Sequence, residues 1–140
     1  MEALENLEAR AELESLAARH AAARATNADI RGLRKIVASM EIELNRDPLS
    51  YTDNNQALHR EIVRISNHET VRRLLDDLRS RNTAYQTRPV LSPGDPRERL
   101  RQHRAIIEAI AQHDGEKAAE AMRAHVTDIS RRLRARLTGR

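Results

Sequence analysis

The sequence predicts an all-α protein, an antiparallel bundle of about six helices, on the basis of three observations. Ala, Leu, Arg and Glu dominate the 140 residues, and all four favour helices or tolerate them well. Apolar residues recur three and four positions apart through most of the chain, which is the spacing of one helix face. Only four glycines and four prolines interrupt the sequence. A chain of this length is expected to form one domain around one core.

The N-terminal third of the chain predicts a helical hairpin. The inward positions of the first helix, which ends before Thr26, are Leu4, Leu7, Ala11, Leu13 or Glu14, Ala17, Ala18 and Ala21. Thr26 and Asp29 match a capping box that opens the second helix. The apolar stripe of that helix, which stops before Pro48, is Ile30, Leu33, Ile36, Val37, Met40 and Leu44. The joint between the two helices is short, which favours a hairpin.

The third helix is predicted from about Leu49 to Ile65, and the fourth from about His68 to Gln86. Their inward residues are Tyr51, Leu58, Ile62 and Ile65, followed by Val71, Leu74, Leu75 and Leu78. Asn67 follows the third helix at a position typical of a left-handed cap. Prolines and a glycine break the pattern between Arg88 and Gly94, so the longest loop is predicted there.

The fifth helix is predicted to begin at Asp95, with Pro96 in the first turn and Glu98 as the N3 acid. Its buried residues are Leu100, Ile106, Ile107 and Ile110, and the segment from Gln112 to Gly115 closes it. The sixth helix follows Asp114 and continues almost to the C-terminus. It is predicted to bury Ala118, Ala119, Met122, Val126, Ile129 and Leu133.

Charge and composition exclude several classes of function. The chain has a net charge of +4, but its 25 basic and 21 acidic residues are interspersed, and no aromatic side chain separates the C-terminal arginines for stacking on bases. Direct binding of nucleic acid is therefore not expected. The absence of cysteine leaves only nitrogen and oxygen as metal ligands. No apolar run approaches a membrane span and the N-terminus lacks a signal-peptide core, so a cytoplasmic protein without membrane contact is predicted.

Three histidines lie on predicted apolar stripes, where an unpartnered imidazole costs free energy. His59 lies on the third helix, with Asn55 one turn earlier on the same face. His103 lies on the inward face of the fifth helix and His125 on that of the sixth. Three imidazoles from three helices can converge on one ion at the roughly 2.0–2.1 Å that zinc or a similar metal requires. The same histidines could instead be hydrogen-bonded core residues, and periodicity alone leaves both interpretations open.

Several short motifs resemble, in their order and spacing, the FCD domain, the C-terminal sensing domain of GntR-type bacterial transcription regulators. The resemblance covers nearly the whole chain. The residues that carry it are Glu8 to Arg10, Leu13 and Glu14, Asn55 to His59, Ser66 and Asn67, His103, Ile106 and Ile107, Ala109 and Ile110, Asp114, Ala118 and His125.

The resemblance implies a bundle of about six helices that binds a divalent ion, with Zn or Ni expected, and a small carboxylate effector. By position the metal ligands are Asn55, His59, His103 and His125. Asn55 departs from the family, which usually has aspartate there, and this removes a negative charge from the site. The resemblance also assigns Arg10 to the effector carboxylate and Asn67 to a hydrogen bond near it. A surface ion pair for Arg10 and a helix cap for Asn67 are the alternative roles.

The predicted function is that of a sensor, in which effector binding shifts helices and controls DNA binding by a homodimeric regulator. Full-length family members carry a winged helix-turn-helix ahead of this domain, and residues 1–140 are expected to form the sensing and dimerisation domain without it. The alternative is a metal-free structural dimerisation bundle.

An enzyme is not expected. The chain contains no His-Glu-x-x-His motif, no Glu-x-x-His pair and no glycine-rich phosphate loop. Nor is any glutamate or aspartate predicted to lie inward beside the histidines, where a general base would be needed.

Overall fold

The computed structural model describes residues 2–44, 46, 48–81 and 95–138, and this part of the chain is all α-helical apart from short turns and caps. The six helices are α1 (Glu2–Arg24), α2 (Asn27–Glu43), α3 (Pro48–Ser66), α4 (Glu69–Arg81), α5 (Pro96–Ala111) and α6 (Gly115–Leu137). The prediction of an all-α fold with about six helices is confirmed. None of the helices in these ranges combines the length and apolarity needed to cross a membrane.

Helix α1 lies at the centre of the bundle. Within the described ranges it packs against α3, α4, α5 and α6, and α2 packs against α3 and α5 on the other side. The inward face of α1 consists mostly of small side chains, which allow its neighbours to approach closely. The fully buried members are Ala17, Ala18, Ala21 and Ala22. A buried hydroxyl, Ser15 Oγ, donates to the carbonyl of Ala119 on α6 at 3.0 Å, so α1 and α6 are also joined by a polar contact.

One main core and one smaller apolar cluster hold the helices together. The main core joins α1, α2, α3, α5 and α6, and its largest fully buried apolar residues are Leu33, Met40, Leu58, Ile62, Ile106, Ile110, Met122 and Val126. The smaller cluster joins α1, α3 and α4 through Ala17, Val63, Val71 and Leu75. The histidine-bearing stretches of α3, α5 and α6 therefore belong to one packed unit.

The caps follow the sequence prediction closely. Thr26 and Asp29 form the reciprocal capping box at the start of α2, and the Asp95 side chain accepts from the backbone N–H of Arg97, with proline in the first turn of α5. Asn67 has φ 51° and ends α3 in the left-handed region. His113 also has a positive φ, and its Nδ1–H donates to the carbonyl of Ala22 at 2.9 Å.

One sequence prediction for α4 is wrong, and several others concern residues or side chains that the structure does not describe. Leu74 was predicted to point inward, but its side chain is exposed. The reason is that, among the described residues, α4 packs only against α1 and α3. The covered stripe is therefore narrow and holds Val71 and Leu75 one turn apart. The predicted continuation of α4 to Gln86 and the predicted loop from Arg88 to Gly94 lie outside the described residues, as does the side chain of Tyr51.

Candidate metal centre

The three inward histidines of the sequence prediction meet in the middle of the bundle. His59 on α3, His103 on α5 and His125 on α6 are all buried. Their ring centroids are 5.7 Å apart for His59 and His103, 5.4 Å for His59 and His125, and 4.6 Å for His103 and His125. One nitrogen from each ring lies within 4.8 Å of the other two.

Four buried ring nitrogens of these histidines have no hydrogen-bond partner among the described residues. They are Nε2 of His59, both nitrogens of His103 and Nε2 of His125. Leaving a buried polar atom unpaired costs about 1–3 kcal/mol. The three histidines that carry these atoms lie close together on three different helices and form a group that could hold a metal ion. A divalent ion fits, because imidazole nitrogen is a preferred ligand of Zn and Ni.

The spacing of the nitrogens is compatible with that interpretation. Three nitrogens around a tetrahedral ion at about 2.1 Å lie roughly 3.4 Å from one another. In the structure the nitrogens lie within 4.8 Å of one another, so the three rings are close enough to be candidate ligands of one ion.

The far side of the His59 ring is held by a carboxylate. Nδ1 of His59 lies 2.5 Å from Oε1 of Glu14, which is buried on α1. A carboxylate only accepts hydrogen bonds, so Nδ1 carries the proton and the lone pair of neutral His59 is at Nε2. Nε2 is therefore the nitrogen of neutral His59 that is able to bind an ion.

His125 is oriented in the same way through a relay. The amide Nε2 of Gln102 donates to Oδ2 of Asp128 at 3.2 Å, which leaves Gln102 Oε1 to face Nδ1 of His125 at 2.6 Å. Oε1 accepts, so Nδ1 of His125 is the donor and its Nε2 is again bare. Second partners of this kind are typical of metal-binding histidines.

The electrostatics favour neutral imidazoles at His103 and His125. Burial lowers the pKa of His103 well below its ordinary value, and the neighbouring His59 adds to this. Burial likewise lowers the pKa of His125, with His103 as the next cause. Burial by itself would raise the pKa of Glu14, but Arg10 and His59 outweigh it and hold that pKa well below its usual range. The neutral imidazole is the form in which histidine binds a metal ion.

The structure places the other predicted site residues as follows. Asn55 lies one turn before His59 on α3 and is half-buried, so it comes from the same helix face. Arg10 pairs with Glu14, its Nε lying 2.5 Å from Oε2. Asn67 is exposed at the end of α3, about 12 Å along the helix axis from His59. The alternative role given to Asn67, a left-handed cap, is therefore present, whereas its role near an effector stays a prediction.

The sequence did not predict two residues that contact the histidines, Glu14 and Gln102. No acidic side chain was predicted beside the histidines, and this was wrong, because Glu14 contacts His59. A signal existed, since Glu14 stands at helical spacing between Ala11 and Ala18 on the inward stripe of α1. Gln102 gave no such signal, because its role depends on a contact between α5 and α6. The remaining histidines, His20, His68 and His113, lie outside the cluster.

Fold and site together define an all-helical bundle domain with a buried three-histidine cluster. Comparison with known proteins gives the family: the FCD domain family matches residues 5–128. The chain belongs to the FCD domain family of GntR-type transcription regulators, and the resemblance seen in the sequence is confirmed.

Two curated relatives and one solved structure illustrate the relationship. The chain is 33% identical over 127 residues to the "Putative L-lactate dehydrogenase operon regulatory protein" of Escherichia coli (strain K12) and to that of Shigella flexneri. The match covers 88% of this chain and 48% of each relative, so the chain spans about half the length of these proteins. Streptococcus agalactiae GntR has the same fold, with a TM-score of 0.76 and 23% identity over 93% of this chain and 58% of that one. These relatives are named as regulators rather than as enzymes.

Proposed function

We propose that residues 1–140 form the effector-sensing and dimerisation domain of a GntR-type regulator, and that this domain binds one divalent metal ion and one small carboxylate. The observation that carries the proposal is the set of buried, unpartnered ring nitrogens on His59, His103 and His125. A metal-free structural bundle, the alternative function, gives these atoms no role and leaves their desolvation uncompensated.

The proposed ligands are the three histidines and Asn55. All four donors are neutral, which favours a borderline metal such as Zn or Ni over Mg or Ca, since the latter prefer several carboxylates. The amide oxygen of Asn55 is a weaker ligand than the aspartate usual in the family. The nearest compensation is Glu14, whose charge reaches the cluster through His59.

The proposed effector is a small organic acid that binds beside the metal. The bound ion supplies positive charge and an open coordination position for a carboxylate oxygen. Arg10 contacts Glu14, which in turn contacts His59 of the cluster. Among the described residues only the Nε of Arg10 is hydrogen-bonded. Its two Nη groups are the proposed partners of the acid. Asn67 is proposed to make a minor contact with the effector in addition to its role as the cap of α3.

Control of transcription is proposed to follow from a homodimer of the complete regulator in the cytoplasm. The relatives are about twice as long as this chain, which leaves room for the winged helix-turn-helix that the family pairs with this domain. DNA would then be bound only by that second domain, and effector binding would change the spacing of the two copies.

The metal part of the proposal is tested by elemental analysis of protein purified without an affinity tag, after loading with Zn or Ni and removal of excess ion. We expect one ion per chain for the wild type and a strong loss for His103→Leu. His20→Gln is the matched control, because His20 lies outside the cluster, with its ring hydrogen-bonded to Arg24 and in contact with the ring of His68. A wild-type protein that retains no ion supports the structural-bundle alternative.

The effector part is tested by calorimetric titration of the metal-loaded protein with small acids. L-Lactate is the first probe, because the curated relatives are named for an L-lactate dehydrogenase operon. Di- and tricarboxylic acids follow. We expect binding that depends on the metal and falls sharply in Arg10→Gln. Metal-loaded protein that binds none of these acids contradicts the sensor function.

A further inference from the structure

Glu14 is the unusual residue on the inward face of α1. Its neighbours on that face are alanines, a serine and leucines, whereas the Glu14 side chain is almost fully buried. Burying a carboxylate is costly unless each oxygen finds a donor. An aliphatic residue would satisfy the packing of α1 at lower cost, so the carboxylate is expected to have a specific task.

The two oxygens of Glu14 have different partners. Oε1 accepts from Nδ1 of His59 at 2.5 Å, and Oε2 accepts from Nε of Arg10 at 2.5 Å. His59 is completely enclosed, while the Arg10 side chain keeps 22% of its surface exposed. A single carboxylate therefore connects a buried imidazole of the cluster with a guanidinium that reaches toward the edge of the bundle.

We propose that Glu14 is a positioning residue that sets both halves of the site: it fixes the His59 tautomer that leaves Nε2 bare, and it holds the Arg10 guanidinium beside the cluster. This inference rests on the proposed function, because fixing the His59 tautomer and holding the Arg10 guanidinium are both useful only if the site binds a metal ion and an acid. It also assigns to Glu14 the negative charge that Asn55 does not provide.

Only a carboxylate can perform both tasks at this position. Glutamine has the same shape but one acceptor oxygen and one NH2 donor. If its oxygen stays with Arg10, the NH2 group faces Nδ1 of His59 and moves the ring proton to Nε2, where it blocks ion binding. If its oxygen stays with His59, two donors face each other at Arg10. Glu14→Gln must therefore lose one of the two contacts.

The first experiment uses metal-free protein at about pH 8, above the ordinary pKa of a histidine side chain. Nitrogen-15 NMR of the histidine rings gives the tautomer of His59, and exchange of the Arg10 Nε–H with solvent reports the second contact. We expect an Nδ1–H tautomer and slowed exchange in the wild type. In Glu14→Gln we expect either the Nε2–H tautomer or fast exchange. Because the wild-type readings do not depend on a variant that folds, an Nε2–H tautomer in wild-type protein overturns the inference.

The second experiment measures Zn²⁺ affinity by competition with a chelator. Loss of a partner behind a metal-binding histidine typically weakens binding about 10- to 100-fold, and we expect a loss in that range for Glu14→Gln. Glu12→Gln is the matched control, because Glu12 is an exposed acid on the same helix that pairs with Arg123.

The outcomes separate the two proposals. If the wild type binds no Zn²⁺, the proposed function fails, while the tautomer and exchange readings still decide the role of Glu14. If the wild type binds Zn²⁺ and Glu14→Gln binds it equally well with His59 unchanged, the positioning role is overturned and the metal site stands.

Discussion

His103 has the highest desolvation cost of the three histidines, because neither of its ring nitrogens has a hydrogen-bond partner among the described residues. His59 and His125 each use Nδ1 to donate to a neighbour. Without an ion, His103 is thus a fully buried polar ring whose ring neighbours are the imidazoles of His59 and His125. Its presence opposes the stability of the metal-free protein.

We expect His103→Leu to stabilise the metal-free protein by about 1 kcal/mol, because removing an unsatisfied buried group recovers part of its desolvation cost. The measurement is urea unfolding in the presence of a chelator. His125→Leu is the matched comparison, and it should not stabilise, since it strands the Gln102 oxygen that now accepts from His125. A destabilised His103→Leu would show that the ring has a partner in solution.

The stability of the metal-free protein is expected to fall as the pH drops below about 6.5. The pKa values of His103 and His125 are depressed in the folded state, burial being the main cause, so the unfolded chain takes up protons that the native chain refuses. Each ring then costs up to about 1.4 kcal/mol of unfolding free energy per pH unit. The pKa of Glu14 is also depressed in the folded state, which adds a loss of the same sign below about pH 4.5.

This pH profile is measured by urea unfolding at steps from about pH 8 to pH 5 with chelator present. His103→Leu serves as the control and should show roughly half the slope in the upper part of the range. A wild-type profile that stays flat between these limits would mean that the rings are not buried and neutral as described.

At the level of single residues, the sequence predicted the three histidines but not their hydrogen-bond partners. An imidazole on an apolar stripe is conspicuous in one helix, and the structure brings all three rings together, although their role as ligands stays a prediction. Glu14 and Gln102 act through contacts between helices that are far apart in the chain. Helical periodicity gives the direction of a side chain but not the identity of its partner.

At the level of helices, α1 owes its central place to the size of its side chains. Alanines on its inward face let α6 approach so closely that a Cβ added at Gly115 would lie 3.3 Å from the backbone oxygen of Arg19. Such an interface has little spare volume, and proteins pack at nearly crystalline density. Enlarging a side chain there must push a neighbouring helix away.

We expect Ala21→Leu to destabilise the protein by about 1–3 kcal/mol through overpacking, since Ala21 is fully buried. Ala23→Leu is the control on the same helix, and it should change the unfolding free energy by less than about 0.5 kcal/mol because Ala23 is exposed. Thermal or urea unfolding of both variants decides the matter. Equal effects at the two positions would contradict the packing described for α1.

Helix ends were predicted better than helix faces. Caps depend on residues within three or four positions, so Thr26, Asp29 and Asp95 identified the starts of α2 and α5 directly. Which face is covered depends on how many neighbours a helix has. Leu74 belongs to a good apolar stripe, but the described residues cover α4 only where it faces α1 and α3, and no local pattern contains that information.

At the level of the whole molecule, an ion at the cluster would join α3, α5 and α6. A ligand that binds only the folded state stabilises it, by about 2.7 kcal/mol at a free concentration of 100 times its Kd. We therefore expect Zn²⁺ to raise the Tm of the wild type and a chelator to reverse the shift. Differential scanning calorimetry measures it, with His103→Leu as the variant that should not respond. A wild-type Tm that is unchanged by Zn²⁺ would speak against the site.

The all-α class and the number of helices were predictable because composition and spacing act over short stretches of chain. The arrangement of the helices around α1 was not predicted, because it follows from side-chain volumes on several helices at once. The family resemblance, confirmed over residues 5–128, provided the order of the site residues along the chain.

The three imidazoles come from helices that are separated in the sequence, and this has a kinetic consequence. A partly folded chain that lacks α3, α5 or α6 does not present all three donors together. Where the three helices come together only after the transition state, a bound ion slows unfolding and leaves the rate of folding nearly unchanged. The folded protein would then persist longer with the ion bound than without it.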